Sequence, residues 1–213
     1  MRKIMMVAAT MAALLGGCAA MPGEPSTARG PYGGSSLGSS MGAPTGARSA
    51  GAMGTVVVGG ATMYPGRDII DNAANSKDHT TLVAGLRAAG LAGALKSAGP
   101  FTVFAPTNAA FDRLAPGMLD GLMRRGNKAV LEHVLASHVV AGRLDGEALA
   151  RMVQAGAGRA WLTTLSGARL SVVMRAGVVV VGDEQGGMAA VSIANVYQSN
   201  GVIHVVDKVL LPR

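Results

Sequence analysis

The distribution of apolar positions divides the chain into two parts. Up to about residue 60, glycine, alanine, serine, methionine and proline dominate, and no apolar period is sustained beyond one short N-terminal run. From residue 66 onward, apolar positions recur first at helical spacing and later with the alternation of strands. A segment of about 150 residues can bury about two thirds of its unfolded surface. The pattern therefore predicts one folded domain after an unstructured leader.

Helical spacing dominates the first half of this segment. Acidic Asp68 and Asp71 favour a helix opening near residue 68, and Gly90 follows a second pattern at the position where a left-handed residue ends a helix. Asn127 is expected to cap the strongest pattern. The predicted helices span 68–73, 80–89, 91–97, 109–114, 116–125 and 128–139.

Strand patterns dominate the second half. Before them, Phe101, Val103 and Ala105 share one face of a strand and Phe104 lies on the other, so both faces are apolar and the strand is buried. The later predicted strands span 161–165, 169–174, 178–182, 189–194 and 202–210, separated by glycine-containing turn pairs. Helices early and strands late predict an α+β fold. The run 55–58 fits either a short edge strand or an apolar patch of the linker.

The N-terminus has the pattern of an export signal. Arg2 and Lys3 precede a run of twelve residues, 4–15, of which all but Thr10 are apolar; the run is too short to span a bilayer but typical of a signal peptide. Leu-Gly-Gly-Cys follows and resembles a bacterial lipobox, so Cys18 is predicted to be lipidated. Ala19, by analogy with bacterial lipoproteins, does not favour inner-membrane retention. We therefore expect an exported protein anchored to the outer membrane, on either its periplasmic or its surface face; the alternative is a plain secretory signal.

The expected organisation has three parts: a lipoprotein signal peptide (1–17), a Gly/Ser/Pro-rich tether (18–62) and a folded domain (63–213). A tether of that composition cannot offset the entropy of ordering. The net charge of +7 falls to +5 when Arg2 and Lys3 leave with the signal peptide. The basic residues are not clustered with aromatic ones, so the sequence does not indicate a nucleic-acid partner. Aromatic residues make up 3% of the chain, so the core must be mainly aliphatic.

Two segments carry a family resemblance. Residues 101–111, FTVFAPTNAAF, and residues 200–212, NGVIHVVDKVLLP, resemble the two signature stretches of the fasciclin-type (FAS1) domain. The resemblance covers about residues 66–212. It implies a wedge of two β-sheets with helices packed along one side. It also implies a role in adhesion or matrix contact at a cell surface.

The chain departs from the family pattern at two places. The family often has a Tyr-His pair after a long helix, and here Ser137-His138 stands at that position. Animal members carry an Asp-Ile pair linked to integrin binding before the last signature, where this chain has Asn195-Val196 followed by Tyr197. The carboxylate is missing, so integrin-type recognition is not expected. Asn195, Val196 and Tyr197 remain the candidate interaction surface.

The polar residues of the signatures are expected to be structural. Thr107 or Asn108 would cap the helix after the buried strand. His138 shares a helix face with apolar residues and is predicted to be a core histidine bonded to the backbone, and His204 lies in a strand. No His, Cys or carboxylate set has metal-ligand spacing, and the predicted domain (63–213) contains no nucleophile motif of the G-x-S-x-G type. No catalytic residue, metal or cofactor is predicted.

The leading hypothesis is a non-enzymatic interaction protein of a bacterial cell envelope. Its partners would be a protein or matrix polymer at the cell surface, and the membrane through the lipid anchor. A first alternative is a carrier that holds an apolar small molecule between its sheets. A second is an envelope hydrolase.

Overall fold

The computed structural model describes residues 54–213. The predicted signal peptide (1–17), the predicted lipidation site Cys18 and the predicted tether as far as residue 53 lie outside the described residues.

Seven helices and nine strands form this part of the chain. The helices are α1 (Ile69–Asn75), α2 (Thr80–Ala89), α3 (Ala92–Leu95), α4 (Asn108–Asp112), α5 (Met118–Met123), α6 (Lys128–Ala136) and α7 (Gly146–Ala155). The strands are β1 (Val56–Val58), β2 (Ala61–Met63), β3 (Phe101–Pro106), β4 (Val139–Ala141), β5 (Ala160–Thr163), β6 (Arg169–Arg175), β7 (Val178–Gly182), β8 (Met188–Gln198) and β9 (Gly201–Val206). The α+β class predicted from the sequence is confirmed.

The two signature segments lie side by side in the sheet. Strand β3 pairs in parallel with β9 from Phe101↔Gly201 to Pro106↔Val206. Seven strands form one sheet in the order β4-β3-β9-β8-β7-β6-β5. The parallel pair therefore lies inside the sheet and is buried on both faces, as the apolar run of β3 predicts.

Strand β8 turns this sheet into a wedge. Its first residues pair with β7 and its later residues pair with β9, with register shifts between Val191, Ile193 and Val196. Such bulges bend a strand, so β8 belongs to both halves. The outer strands then meet: Val140 bridges to Thr164, and the N–H of Leu165 donates to the carbonyl of Val139 over 2.8 Å.

Two apolar clusters form the core. The first lies between the helices and one half of the sheet, and the second lies between the two halves, where α7 contributes Leu149 and Val153. Strand β3 serves both clusters, since Val103 and Ala105 face the first and Phe104 the second. The helices thus pack along one side of the wedge, and the second half of the sheet keeps one face open.

The folded domain begins before the predicted boundary at residue 63. Strands β1 and β2 form a hairpin through Gly59 and Gly60, both of which have positive φ, as a tight hairpin turn requires. Val58 and Met63 are 3% exposed and belong to the first cluster. The run at 55–58 is therefore part of a strand pair packed on the core, and the predicted tether (18–62) is too long at its C-terminal end.

The helices differ from the prediction in two places. Helix α6 ends at Ala136 rather than at residue 139, because the side chains of Ser137 and His138 both bond to the carbonyl of Val134, where the helix would have continued. Helix α7 was not predicted. Its N-cap is Asp145, whose carboxylate accepts from the N–H of Ala148 over 2.8 Å.

Asn200 fastens the second signature to the helices. Its side chain accepts from the N–H of Ile69 over 3.1 Å and donates to the carbonyls of Leu95 and Ser97 over 2.7 and 3.1 Å. The next residue, Gly201, passes so close to the carbonyl of Phe101 that a Cβ atom would overlap it. The Asn-Gly pair is thus both a turn and a close contact between β9 and β3.

Candidate interaction surface

The polar residues of the first signature hold two helices together. Thr107 is the N-cap of α4, and its hydroxyl accepts from the N–H of Ala110 over 3.2 Å. Asn108 does not cap α4; its Oδ1 accepts from the N–H of Thr81 over 3.0 Å, and its Nδ2 donates to the carbonyl of Lys77 over 2.9 Å. Of the two predicted caps, Thr107 takes the role, and Asn108 binds α4 to the start of α2.

His138 is 1% exposed, and both of its ring nitrogens are bonded. Nδ1 lies 2.8 Å from the carbonyl of Val134, and Nε2 accepts from the N–H of Leu210 over 2.9 Å. A carbonyl requires a donor and an N–H requires an acceptor, so the ring is neutral with its proton on Nδ1. Burial lowers the pKa of His138 to about 4. The ring is a structural link and has no free nitrogen for catalysis.

His204 lies in β9 and is fully buried. Its Nε2 donates to the carbonyl of Leu144 over 2.8 Å, and its ring stacks on Phe104 with 5.7 Å between the ring centres. Burial lowers the pKa of His204 below its ordinary value. His204 therefore joins β9 and β3 to the segment before α7 and lies away from the surface.

The residues of the candidate surface 195–197 have mostly structural roles in the domain. Asn195 occupies the bulge of β8 with φ of 60°, and its Oδ1 accepts from the N–H of Gly146 over 2.6 Å. Val196 is 1% exposed and packs in the first cluster, so the prediction that it contributes to a contact surface is wrong. Tyr197 is half-buried, and burial raises the pKa of its hydroxyl. Of the three, Tyr197 is neither fully buried nor part of the bulge.

A small apolar cavity lies beneath the N-terminal hairpin. Val58, Met63, Ile203 and Val205 contribute to its lining, and its volume is about 10 Å³, about that of one water-sized probe. His79 also faces it; its Nδ1 lies 2.9 Å from the hydroxyl of Ser76, and its buried Nε2 has no partner among residues 54–213. Small-molecule sites usually measure about 300–1,000 Å³, so this geometry does not favour a carrier.

The described part of the chain contains neither a candidate metal site nor a candidate membrane-spanning helix. Between residues 54 and 213, no three His, Cys, Asp or Glu side chains come together in a way that could hold a metal ion. None of the helices in that range is both long and apolar enough to cross a membrane.

The open face of the sheet carries an aromatic group that sequence reasoning did not single out. Trp161 on β5 is 53% exposed. The guanidinium carbon of Arg169 lies 5.0 Å from the centre of its ring, and that of Arg159 lies 5.8 Å away. The available signal was the alternation of β5, in which Ala160 and Leu162 are buried and Trp161 must face outward.

A cleft of about 470 Å³ runs beside Trp161. Ser171 and Met188 line it, together with the loop that carries Asp183 and Glu184. Asp183 accepts from three backbone N–H groups, those of Gln185, Gly187 and Leu211. Glu184 accepts from the N–H groups of Arg169 and Arg213, which lower the pKa of its carboxyl group. Both carboxylates are held in place by these bonds.

The match to a known family model covers both signature segments and most of the described fold. The model of the fasciclin domain matches residues 77–212. The structure of a FAS1 domain pair from the insect cell adhesion molecule Fasciclin I superposes with a TM-score of 0.62 at 18% identity, over 68% of this chain and 51% of that one.

Several relatives are similar in sequence. Protein sll1483 of Synechocystis is 40% identical, over 74% of this chain and 81% of its own length. The immunogenic protein MPB70 of Mycobacterium bovis is 33% identical, over 66% of each chain. The transforming growth factor-beta-induced protein ig-h3 of Sus scrofa is 34% identical, over 62% of this chain and 17% of its own.

Proposed function

Because the chain belongs to the fasciclin domain family, we propose that it is a non-enzymatic interaction protein that contacts a protein or matrix polymer at the surface of a bacterial cell. One observation carries the proposal. The polar side chains of the two signature segments, among them Asn108, Asn200 and His204, are bound to the domain's own backbone. What the domain offers to a partner is therefore its outer surface.

The relatives agree with this reading at the level of the family. The solved FAS1 pair belongs to a cell adhesion molecule. Two bacterial relatives, from Synechocystis and Mycobacterium bovis, are similar to this chain over 81% and 66% of their own length. We extend the adhesive role to this chain as its most economical function.

We propose in addition that the domain is displayed from a lipid anchor at Cys18, on a tether that ends near residue 53. The lipobox pattern and the composition of residues 19–53 support this arrangement. Mass spectrometry of the mature N-terminus tests it: we expect an acylated cysteine. An unmodified peptide that begins after residue 18 would exclude the anchor.

A deletion strain tests the adhesive role. Loss of the protein is expected to reduce surface attachment and biofilm formation, and a plasmid copy should restore both. A Cys18→Ala copy should restore neither, because the domain would no longer be held at the cell. Unchanged attachment of the deletion strain would refute the proposed role in adhesion.

A further inference from the structure

We propose that the cleft beside Trp161 binds an acidic polysaccharide, with the indole ring as a platform for a sugar ring and Arg159 and Arg169 as the partners of a uronate carboxylate. This inference rests on the proposed function, since it names the chemical class of the matrix partner.

The sheet register builds the platform. Trp161 on β5 lies opposite Ser171 on β6, and Ser171 lies opposite Gly182 on β7. Ser171 and Met188 form the floor of the cleft next to the largest side chain of the face, and Gly182 lies beneath them, since a Cβ atom there would overlap Ser171 Oγ and Met188 Sδ. The indole rises above this floor and leaves a concave site along its side. Trp161 remains 53% exposed although two guanidinium groups lie against its ring, so a pyranose ring, which has an apolar face, can pack on the uncovered part of the indole.

The two arginines supply charge without an internal partner. Within residues 54–213, neither Arg159 nor Arg169 forms an ion pair, although the cleft contains carboxylates. Both guanidinium groups instead lie against the ring of Trp161. A planar guanidinium that is stacked on an aromatic ring still has donors at its edge, and these fit a carboxylate in a two-pronged geometry.

The acidic side of the cleft can accept hydroxyl groups. Asp183 and Glu184 both accept backbone N–H groups, and the two N–H groups at Glu184 lower the pKa of its carboxyl group. Carboxylate oxygens have more acceptor sites than these bonds use, so they can also accept hydroxyl donors. A uronate sugar carries one carboxylate for the arginines and several hydroxyls for the acidic side, so it matches both sides of the cleft.

The shape of the site favours a sugar over a membrane. The cleft volume of about 470 Å³ lies within the range typical of ligand sites. A flat lipid surface would leave this concavity unfilled. The mixture of charges and the concave shape therefore point to a discrete, hydroxyl-rich and singly charged repeating unit.

The test uses the purified full-length chain with oligogalacturonate and oligomannuronate as probes. Trp161 is the only tryptophan of the chain, so a change in tryptophan emission on titration reports this site alone. The methyl-esterified oligomers are the matched neutral controls. We expect at least one free-acid oligomer to change the emission and to bind roughly tenfold more tightly than its ester, as the loss of a charge-assisted bond implies.

Variants assign the binding to the cleft. By calorimetry, Trp161→Ala, Arg159→Gln and Arg169→Gln should each weaken binding about fivefold or more. Arg175→Gln is the control: it removes the same charge from an exposed position on β6, the strand that also carries Arg169, and should change affinity less than about twofold. Unchanged melting temperatures will establish that the variants are folded. If Trp161→Ala does not fold, Trp161→Phe replaces it, and the two arginine variants then decide whether the cleft is the binding site.

Three results would overturn the site. These are binding of neither acid oligomer, equal binding of an acid oligomer and its ester, and binding that the cleft variants leave unchanged. Binding of anionic phospholipid vesicles, but of neither oligomer, that depends on Trp161 would assign the face to membranes instead. The proposed adhesive function is tested separately from the cleft. A deletion strain with unchanged attachment would refute the adhesive function even if the oligomers bind. If the deletion strain attaches poorly and a Trp161→Ala copy restores its attachment, the adhesive function stands and the cleft is rejected as its site.

Discussion

The ring nitrogen Nε2 of His138 accepts a hydrogen bond of 2.9 Å from the backbone N–H of Leu210, 72 residues further along the chain. The other nitrogen donates to the carbonyl of Val134 at the end of α6. The imidazole thus joins the last turn of the main helix to the end of the second signature. Because both bonds are buried, the ring contributes to stability only in its neutral form.

Replacement of His138 by alanine should destabilise the domain. It removes two buried hydrogen bonds, leaves the N–H of Leu210 without a partner and opens a cavity, for a combined loss of about 2–4 kcal/mol in the free energy of unfolding. Urea denaturation measures this loss. His133→Ala is the matched control, since His133 is exposed on α6, five residues before His138, and should change stability by less than about 0.5 kcal/mol. A His138→Ala protein with the melting temperature of the original chain would contradict the structural role.

Stability should fall as the solution becomes acidic. An unfolded imidazole titrates near pH 6.5, whereas burial lowers the pKa of His138 in the folded state to about 4. Between these values the unfolded state binds more protons, so the stabilisation is complete above about pH 6.5 and decreases by about 1.4 kcal/mol for each unit below it. The pKa values of His79 and His204 are lowered as well, so the total slope is steeper than that of one histidine.

Denaturation curves at a series of pH values measure this slope. In the His138→Gln variant, we expect a smaller slope of the free energy of unfolding against pH between about pH 6.5 and pH 5. The slope should lose the contribution of one proton, and the contributions of the other titrating groups should persist. Equal slopes in the two proteins would mean that His138 does not titrate differently on folding.

Asn195 should behave as a bulge residue and not as a contact residue. Its φ of 60° suits asparagine and glycine but strains a β-branched side chain. Asn195→Val, which also removes the bond to the N–H of Gly146, should cost about 2–4 kcal/mol. Asn195→Gly keeps the backbone geometry and should cost about half as much or less. Equal losses for the two variants in chemical denaturation would refute the strain argument.

The N-terminal hairpin should be a stabilising part of the domain. Met63→Ala removes a side chain that is 3% exposed and should lower the free energy of unfolding by about 2–4 kcal/mol. Val57→Ala is the control in the same hairpin, since Val57 is 62% exposed and its truncation should cost less than about 0.5 kcal/mol. If the two variants melt at the same temperature as the original chain, the hairpin does not contribute to the core.

The sequence predicts those elements whose signals are local. Helix α2 was predicted with its observed limits, because its apolar period ends at Gly90, which has positive φ. The buried nature of β3 followed from Phe104 and its apolar neighbours. Helix α6 was predicted too long because His138 continues the apolar period, and only the competing bonds of Ser137 and His138 to Val134 reveal the stop.

The candidate site depends on relationships between distant residues, which sequence reasoning does not provide. The alternation of β5 is enough to turn Trp161 outward. That Arg169 lies against its ring depends on the pairing of β5 with β6. The burial of Val196 likewise follows from the bulges of β8, which shift the alternation of that strand.

The position of β9 has a consequence for how the protein is made. This strand, Gly201–Val206, lies between β3 and β8 in the sheet, and its parallel partner β3 is about a hundred residues earlier in the chain. The sheet cannot close around a strand that has not yet been synthesised, so the domain has to wait for nearly its whole length before it folds. A chain with this topology stays unfolded until its synthesis is nearly complete, which is the form that the export proposed above would require.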